Sequence, residues 1–307
     1  MRTAAAFFCF FILAIPATEQ ATGQQLPAPP SAGSNDTYFT IHNVLPAHQV
    51  TLGAGTRVGI LDRSFGMHAH PELYAGGENF LDGVPTPEEG METHHGYWMA
   101  LALSEIAPQA EIYALETQTD DEEAQVEAMV RALDWAVEHE LDVVTYCAGS
   151  FSEAAREVLD PAVERTVEAG VVVVFVDYPH PMNLLPAGFG PPAEDGLRDP
   201  DLNIFSYDCT TLFADQFVAL MNSDDDGIQK YRPFLARASA GPVTAGFVAM
   251  LRSVDPEMSP AKIKRILRET SRPMAYRGRL AARVADVFAA VTNVVGVGPE
   301  PQDWVTD

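Results

Sequence analysis

FLARASAGPVTAGFVAML, residues 234–251, is the stretch on which the fold reading turns. Small and apolar residues fill it, and Pro242, Ala245 and Gly246 give it a register. Four residues before Pro242 stands Ala238, preceded by Ala236 and Arg237 and followed by Ser239. Alanine carries no oxygen that can attack a carbonyl. On a helix one residue is a rotation of about 100°, so Ser239 aims its hydroxyl away from the direction that position 238 faces. Outward from this stretch, TRVGILD at 56–62 reads as a short buried strand ending in an acid, Asp62. A carboxylate at the carboxyl end of a parallel strand is where an open α/β sheet places its site. METHHGYWMALALSEIAP at 91–108 reads as a helix that opens near His95.

In order and spacing these segments resemble the subtilisin-like serine protease family. That family writes the first stretch as G-T-S-M-A-S-P-H-V-A-G, with its reactive serine at the start of a buried helix, and the shared register puts Ala238 in the serine's place. Asp62 falls on the family's catalytic aspartate, with Arg63-Ser64 replacing Thr-Gly, and HAHPEL at 68–73 resembles its His-Pro-Asp-Leu. His95-Gly96 falls on the catalytic His-Gly pair. The resemblance implies that His95 is the residue that would take the serine's proton, with Asp62 fixing its tautomer and orientation. Tyr97 and Trp98 replace a threonine and a second histidine, and these bulky rings are expected to crowd the approach to the imidazole.

LDVVTYCAGS at 141–150 resembles the family strand whose end pairs with bound peptide as an extra strand, which makes Cys147, Ala148 and Gly149 the expected peptide-facing backbone. GVVVVFVDYPHPMN at 170–183 matches the strand before the family's oxyanion asparagine, a donor whose loss costs about 10² to 10³ in rate. The matching position here is Pro179, which has no donor. Asn183 supplies an amide only if the loop is rebuilt. Near the end, VDPEMSPAKIKRILRETSRP resembles the closing helix with its Ser259-Pro260 start, and GRLAARVADVFAAV at 278–291 resembles the final helix.

Between these motifs the pattern alternates. HNVLPAHQVT at 42–51 resembles the family's opening helical segment, and AEIYALE at 110–116 reads as a strand. DDEEAQVEAMVRALDWAVEHEL at 120–141 sets Val126, Met129, Val130, Leu133, Ala136 and Val137 on one helical face, its acidic start suiting the positive end of the helix dipole. The expected fold is α/β, a three-layer subtilisin-like arrangement with a mostly parallel sheet flanked by helices.

The chain has 307 residues, 47% of them hydrophobic, enough for one large α/β domain. Met-Arg followed by the apolar run AAAFFCFFILAIPA reads as a signal peptide over 1–23, cleaved after Ala17 or Gly23. A Pro- and Ser-rich leader at 24–39 follows, too short for a folded propeptide. The subtilisin-like domain spans 40–292, with an acidic tail at 293–307. The apolar run is shorter than the ~20 residues of a transmembrane helix, so the expected location is secreted or periplasmic.

Removing the signal leaves Cys147 and Cys209, with Cys147 expected as an inert buried thiol. A net charge of -24 argues against nucleic acid and anionic membrane as partners. MNSDDDGIQ at 221–229 has calcium-loop spacing through Asn222, Asp224, Asp226 and Gly227, but Pro233 stands where such loops place a bidentate Glu. An Asp-Gly hairpin turn accounts for it more simply, and no cofactor is expected. His68, His70, His94 and His95 offer a weaker metal reading.

The functional expectation is an inactive, exported subtilisin-like protein that binds peptide or protein. The alternative is an active endopeptidase using Ser239 with His95 and Asp62.

Overall fold

Short apolar runs alternating with amphipathic helices give a parallel sheet, because a crossover helix must return each strand to the same end. The computed structural model describes residues 39, 42–81, 95–147, 151–176, 178–184, 217–221, 230–234, 240–276 and 279–296. Five strands, β1 (Arg57–Asp62), β2 (Gly76–Asn79), β3 (Glu111–Glu116), β4 (Val143–Tyr146) and β5 (Val172–Phe175), lie in the order β2-β3-β1-β4-β5. Every neighbouring pair is parallel. The chain passes from β3 across β1 to β4, so strand order reverses around β1 and its carboxyl end opens at a switch point. Asp62 is the last residue of that strand.

Side chains of β1 alternate between two cores. Val58 and Ile60 join the cluster beneath α2 (His95–Ile106), α5 (Ala240–Val254), α6 (Pro260–Glu269) and α7 (Val287–Val295). Leu61 joins the opposite cluster, under α3 (Glu122–Glu138) and α4 (Glu153–Glu168). The short helix α1 (Val44–His48) packs on α7. The helix starts are written in the sequence: Asp121, Ser152, Ser259 and Asp286 each accept a backbone N–H from the first turn of the helix they precede. Pro260 opens α6, where a missing N–H costs nothing.

Two antiparallel pairs stand apart from the main sheet, β6 (Phe217–Met221) with β7 (Lys230–Phe234) and β8 (Arg272–Tyr276) with β9 (Arg279–Val284). The first flanks the acidic 222–229 segment as a hairpin; that segment itself, and with it the calcium spacing, lies outside the described residues. The second corrects the reading of 278–291 as one helix. Residues 279–284 are strand, and the helix starts only after Asp286, whose Oδ1 accepts the Ala289 N–H at 2.9 Å. Asp286 is itself fixed by Asn43, which donates to its other oxygen at 2.7 Å, while the Val287 N–H reaches the His42 carbonyl. Pairing with β8 and this anchored cap override the helical preference of Leu-Ala-Ala-Arg. Among the described residues no helix is long and apolar enough to cross a membrane.

Helix α5 is buried on every side from Ala240 to Arg252. It meets α2 at Gly246, where a Cβ would lie 2.5 Å from Ile106 Cγ2 and 2.7 Å from its Cβ. Cβ is the branch point of the side chain and Cγ2 the methyl fixed to it, so neither can swing far away. Gly246→Ala is therefore expected to destabilise the fold by about 1–2 kcal/mol, overpacking of about 1–3 kcal/mol exceeding the helix-propensity gain of about 1 kcal/mol. Urea unfolding checks this. Ile106→Ala should partly rescue the variant, the two changes together costing less than their sum. A neutral or stabilising Gly246→Ala would show that the helices are not in close contact there.

Candidate active site

Asp62 and His95 meet because β1 ends where α2 begins. The Asp62 side chain is 1% exposed, and its Oδ1 accepts the Arg63 N–H at 2.8 Å. Both of its oxygens lie 2.8 Å from His95 Nδ1. With a carboxylate on Nδ1, that nitrogen carries the proton and donates, and Nε2 is left as the basic nitrogen of the neutral ring. Burial alone would lower the His95 pKa. The charge of Asp62 and its hydrogen bond outweigh both burial and the repulsion from Arg63, so the pKa lies above 6.5.

The oxyanion side is different. Pro179 is exposed and has neither N–H nor amide. Asn183 is fully buried, and its amide closes the turn after β5: Nδ2 donates to the carbonyls of Phe175 and Tyr178 at 2.7 and 2.8 Å, and Oδ1 accepts the Phe175 N–H at 2.8 Å. With both amide hydrogens engaged by backbone, Asn183 is a structural residue here. This corrects its reading as a replacement donor. Cys147 follows the last residue of β4 as a free thiol, 1% exposed. Burial first, then the Asp62 charge, pushes its pKa well above the ordinary value, so it stays protonated and is no nucleophile. Ala238, Ser239, Ala148 and Gly149 lie outside the described residues.

Tyr97 turns away from the imidazole, two residues and roughly 200° around the helix from His95. Trp98, three residues on at roughly 300°, lies on the same side of the helix as His95. Tyr97 is buried with its ring stacked on His70 at 4.3 Å, and Trp98 packs against the core beneath α2. Between the first turns of α3 and α4 opens a cleft of about 320 Å³. Glu122, Glu123 and Glu127 wall it, over Val126, Ala155 and Val158. The Ser152 N–H bonds Glu122 and holds its carboxyl below the usual range. Among the described residues no three His, Cys, Asp or Glu side chains are grouped to hold a metal ion.

The pair makes a definite prediction about pH. A histidine whose folded pKa is raised contributes stability that is complete below its unfolded pKa, about 6.5, and is lost as pH rises through the folded value. NMR titration should place His95 above 6.5. Asp62→Asn should lower that pKa and remove the stability that the parent gains at acid pH relative to neutral. An unchanged pKa in the variant would contradict the pairing.

No family model matches the chain. Subtilisin BL of Lederbergia lenta is 25% identical over 258 residues, which span 78% of this chain and 91% of the relative. Alkaline elastase YaB of a Bacillus species is 21% identical over 257 residues, 78% of this chain and 65% of the relative. The minor extracellular protease Epr of Bacillus subtilis is 28% identical over 81 residues, 26% of this chain and 12% of the relative. Among solved structures, MycP1 with its N-terminal propeptide removed superposes with a TM-score of 0.56 at 17% identity, over 83% of this chain and 96% of that one. Fervidolysin from Fervidobacterium pennivorans superposes with a TM-score of 0.58 at 15% identity, over 86% of this chain and 46% of that one. At 25% identity the similarity runs through nearly all of a subtilisin in sequence, and the solved structures share the arrangement of sheet and helices, so the chain is similar to subtilisins and has the subtilisin-like fold.

Proposed function

We propose that the protein is an exported pseudoprotease, a subtilisin-like scaffold that binds peptide or protein without cutting it. Acyl transfer needs a nucleophile, a base held in the right tautomer, and donors for the developing oxyanion. The base and its orienting carboxylate are in place at His95 and Asp62. The observation that carries the reading is the engagement of the Asn183 amide by the Phe175 and Tyr178 backbone. With Pro179 at the family's oxyanion position, neither of the two candidate positions, 179 and 183, offers a side-chain amide to receive the charge. The alanine at position 238 removes the hydroxyl as well. Two separate catalytic roles are thus vacant in one site.

Binding survives such losses, because a peptide added as a strand is held by backbone hydrogen bonds. The carboxylates around the cleft between α3 and α4 favour a basic side chain in that peptide, its stem lying on Val126 and Val158. The same acidity and the net charge of -24 disfavour nucleic acid and anionic membrane. Export rests on the residues 1–23 pattern and on the extracellular protease named among the relatives.

The purified mature protein is expected not to react with a fluorophosphonate probe, which requires an activated serine. Labelling abolished by Ser239→Ala would overturn the reading and establish Ser239 as a displaced nucleophile. Ala238→Ser alone should restore little hydrolysis, since the missing oxyanion donor costs about 10² to 10³. Turnover of about 1 s⁻¹ or more, within the ordinary enzyme range, in that single variant would mean that only the serine had been lost.

A further inference from the structure

We propose that Glu116 is the positioning residue of the Asp62–His95 pair. It ends β3 as Asp62 ends β1, and the two residues are register partners. Asp62 turns to the imidazole, whereas Glu116, 7% exposed, turns to the loop that leaves β1: its Oε2 accepts the Ser64 N–H at 3.1 Å. Ser64 is buried with φ at 59°, a left-handed conformation that a serine adopts only when its surroundings hold it there. The Glu116 carboxylate is the acceptor that the N–H of this residue meets.

What the loop then holds is the start of α2. The Arg63 and Ser64 carbonyls accept the Gly96 and Tyr97 N–H groups at 2.8 and 3.4 Å, capping donors that the first turn of a helix cannot satisfy internally. The fit leaves no slack, since a Cβ on Gly96 would lie 2.8 Å from both the Arg63 carbonyl oxygen and Phe65 Cδ1. On the other side, the Thr117 and Gln118 N–H groups that follow Glu116 donate to the Asp62 carbonyl at 3.0 and 3.3 Å. The end of β3 thus fixes the Asp62 backbone directly and fixes His95 through Ser64, the loop carbonyls and the first turn of α2. Glu116 acts on the imidazole through its acceptor geometry, by way of the Ser64 N–H.

The test reads His95 by NMR in the full mature chain. Glu116→Gln retains a side-chain oxygen for the Ser64 N–H and should keep the His95 titration and its downfield Nδ1 proton as in the parent. Glu116→Leu has no acceptor, so the downfield proton should be lost and the His95 pKa should fall. Adding Ser64→Gly, which adopts φ near 60° without help, should restore both. Parent-like His95 behaviour in Glu116→Leu would overturn the proposal, as would a loss in Glu116→Gln equal to that in Glu116→Leu. If Glu116→Leu does not fold, Glu116→Asp is read instead. It keeps the charge but shortens the reach by one methylene, so a lowered His95 pKa supports the proposal and a parent-like value overturns it.

Discussion

A helix with no face fit for water has to be enclosed, and α5 is that helix. Every residue from Ala240 to Arg252 is buried, so the chain must supply a surface on all sides of it. The sheet gives β1, β4 and β5, and the flanking helices give α2 and α7. Within α5, the Thr244 hydroxyl donates to the Ala240 carbonyl at 2.8 Å. At the far end Arg252 extends along apolar surface and donates to the Gly170 and Pro256 carbonyls. Packing of α5 on α2 at Gly246, and docking of the start of α2 at the end of β1, are together what bring His95 to Asp62.

On the proposed reading, a fold of this kind can keep the aspartate–histidine pair while the position of the nucleophile is alanine. The contacts that enclose α5 are made by small and apolar residues and do not involve a nucleophile's hydroxyl. The aspartate–histidine pair is built into the junction of β1, β3 and α2 and remains ordered with that junction. The turn after β5 is under a different constraint. Its buried backbone groups need partners, and Asn183 supplies them from within the turn. An asparagine doing that is held away from substrate chemistry by the bonds that make it useful to the fold.

Much of this was legible in the residues. Asp62 at the end of an apolar strand and His95 at a helix start point to the pair only through the order and spacing they share with the subtilisin-like family. Other features depend on contacts between distant segments. The 278–291 stretch looks helical from its alanines and arginines, and only the tie from Asn43 to Asp286 shows why the helix starts so late. Tyr97 looks obstructive when counted from His95 along the chain, yet the helical rotation turns its ring to His70. Glu116 carried a signal that can be recognised in retrospect: AEIYALE and TRVGILD are both apolar strands ending in an acid. Two neighbouring strands that close alike place two carboxylates at one edge of the sheet.

The central claim, binding without cleavage, is tested most directly by incubating the immobilised mature protein with a random peptide library and analysing the bound fraction by mass spectrometry. The account predicts full-length peptides, enriched in lysine and arginine, retained and recovered intact after prolonged contact. Accumulation of cleaved fragments that disappears with His95→Ala would contradict it.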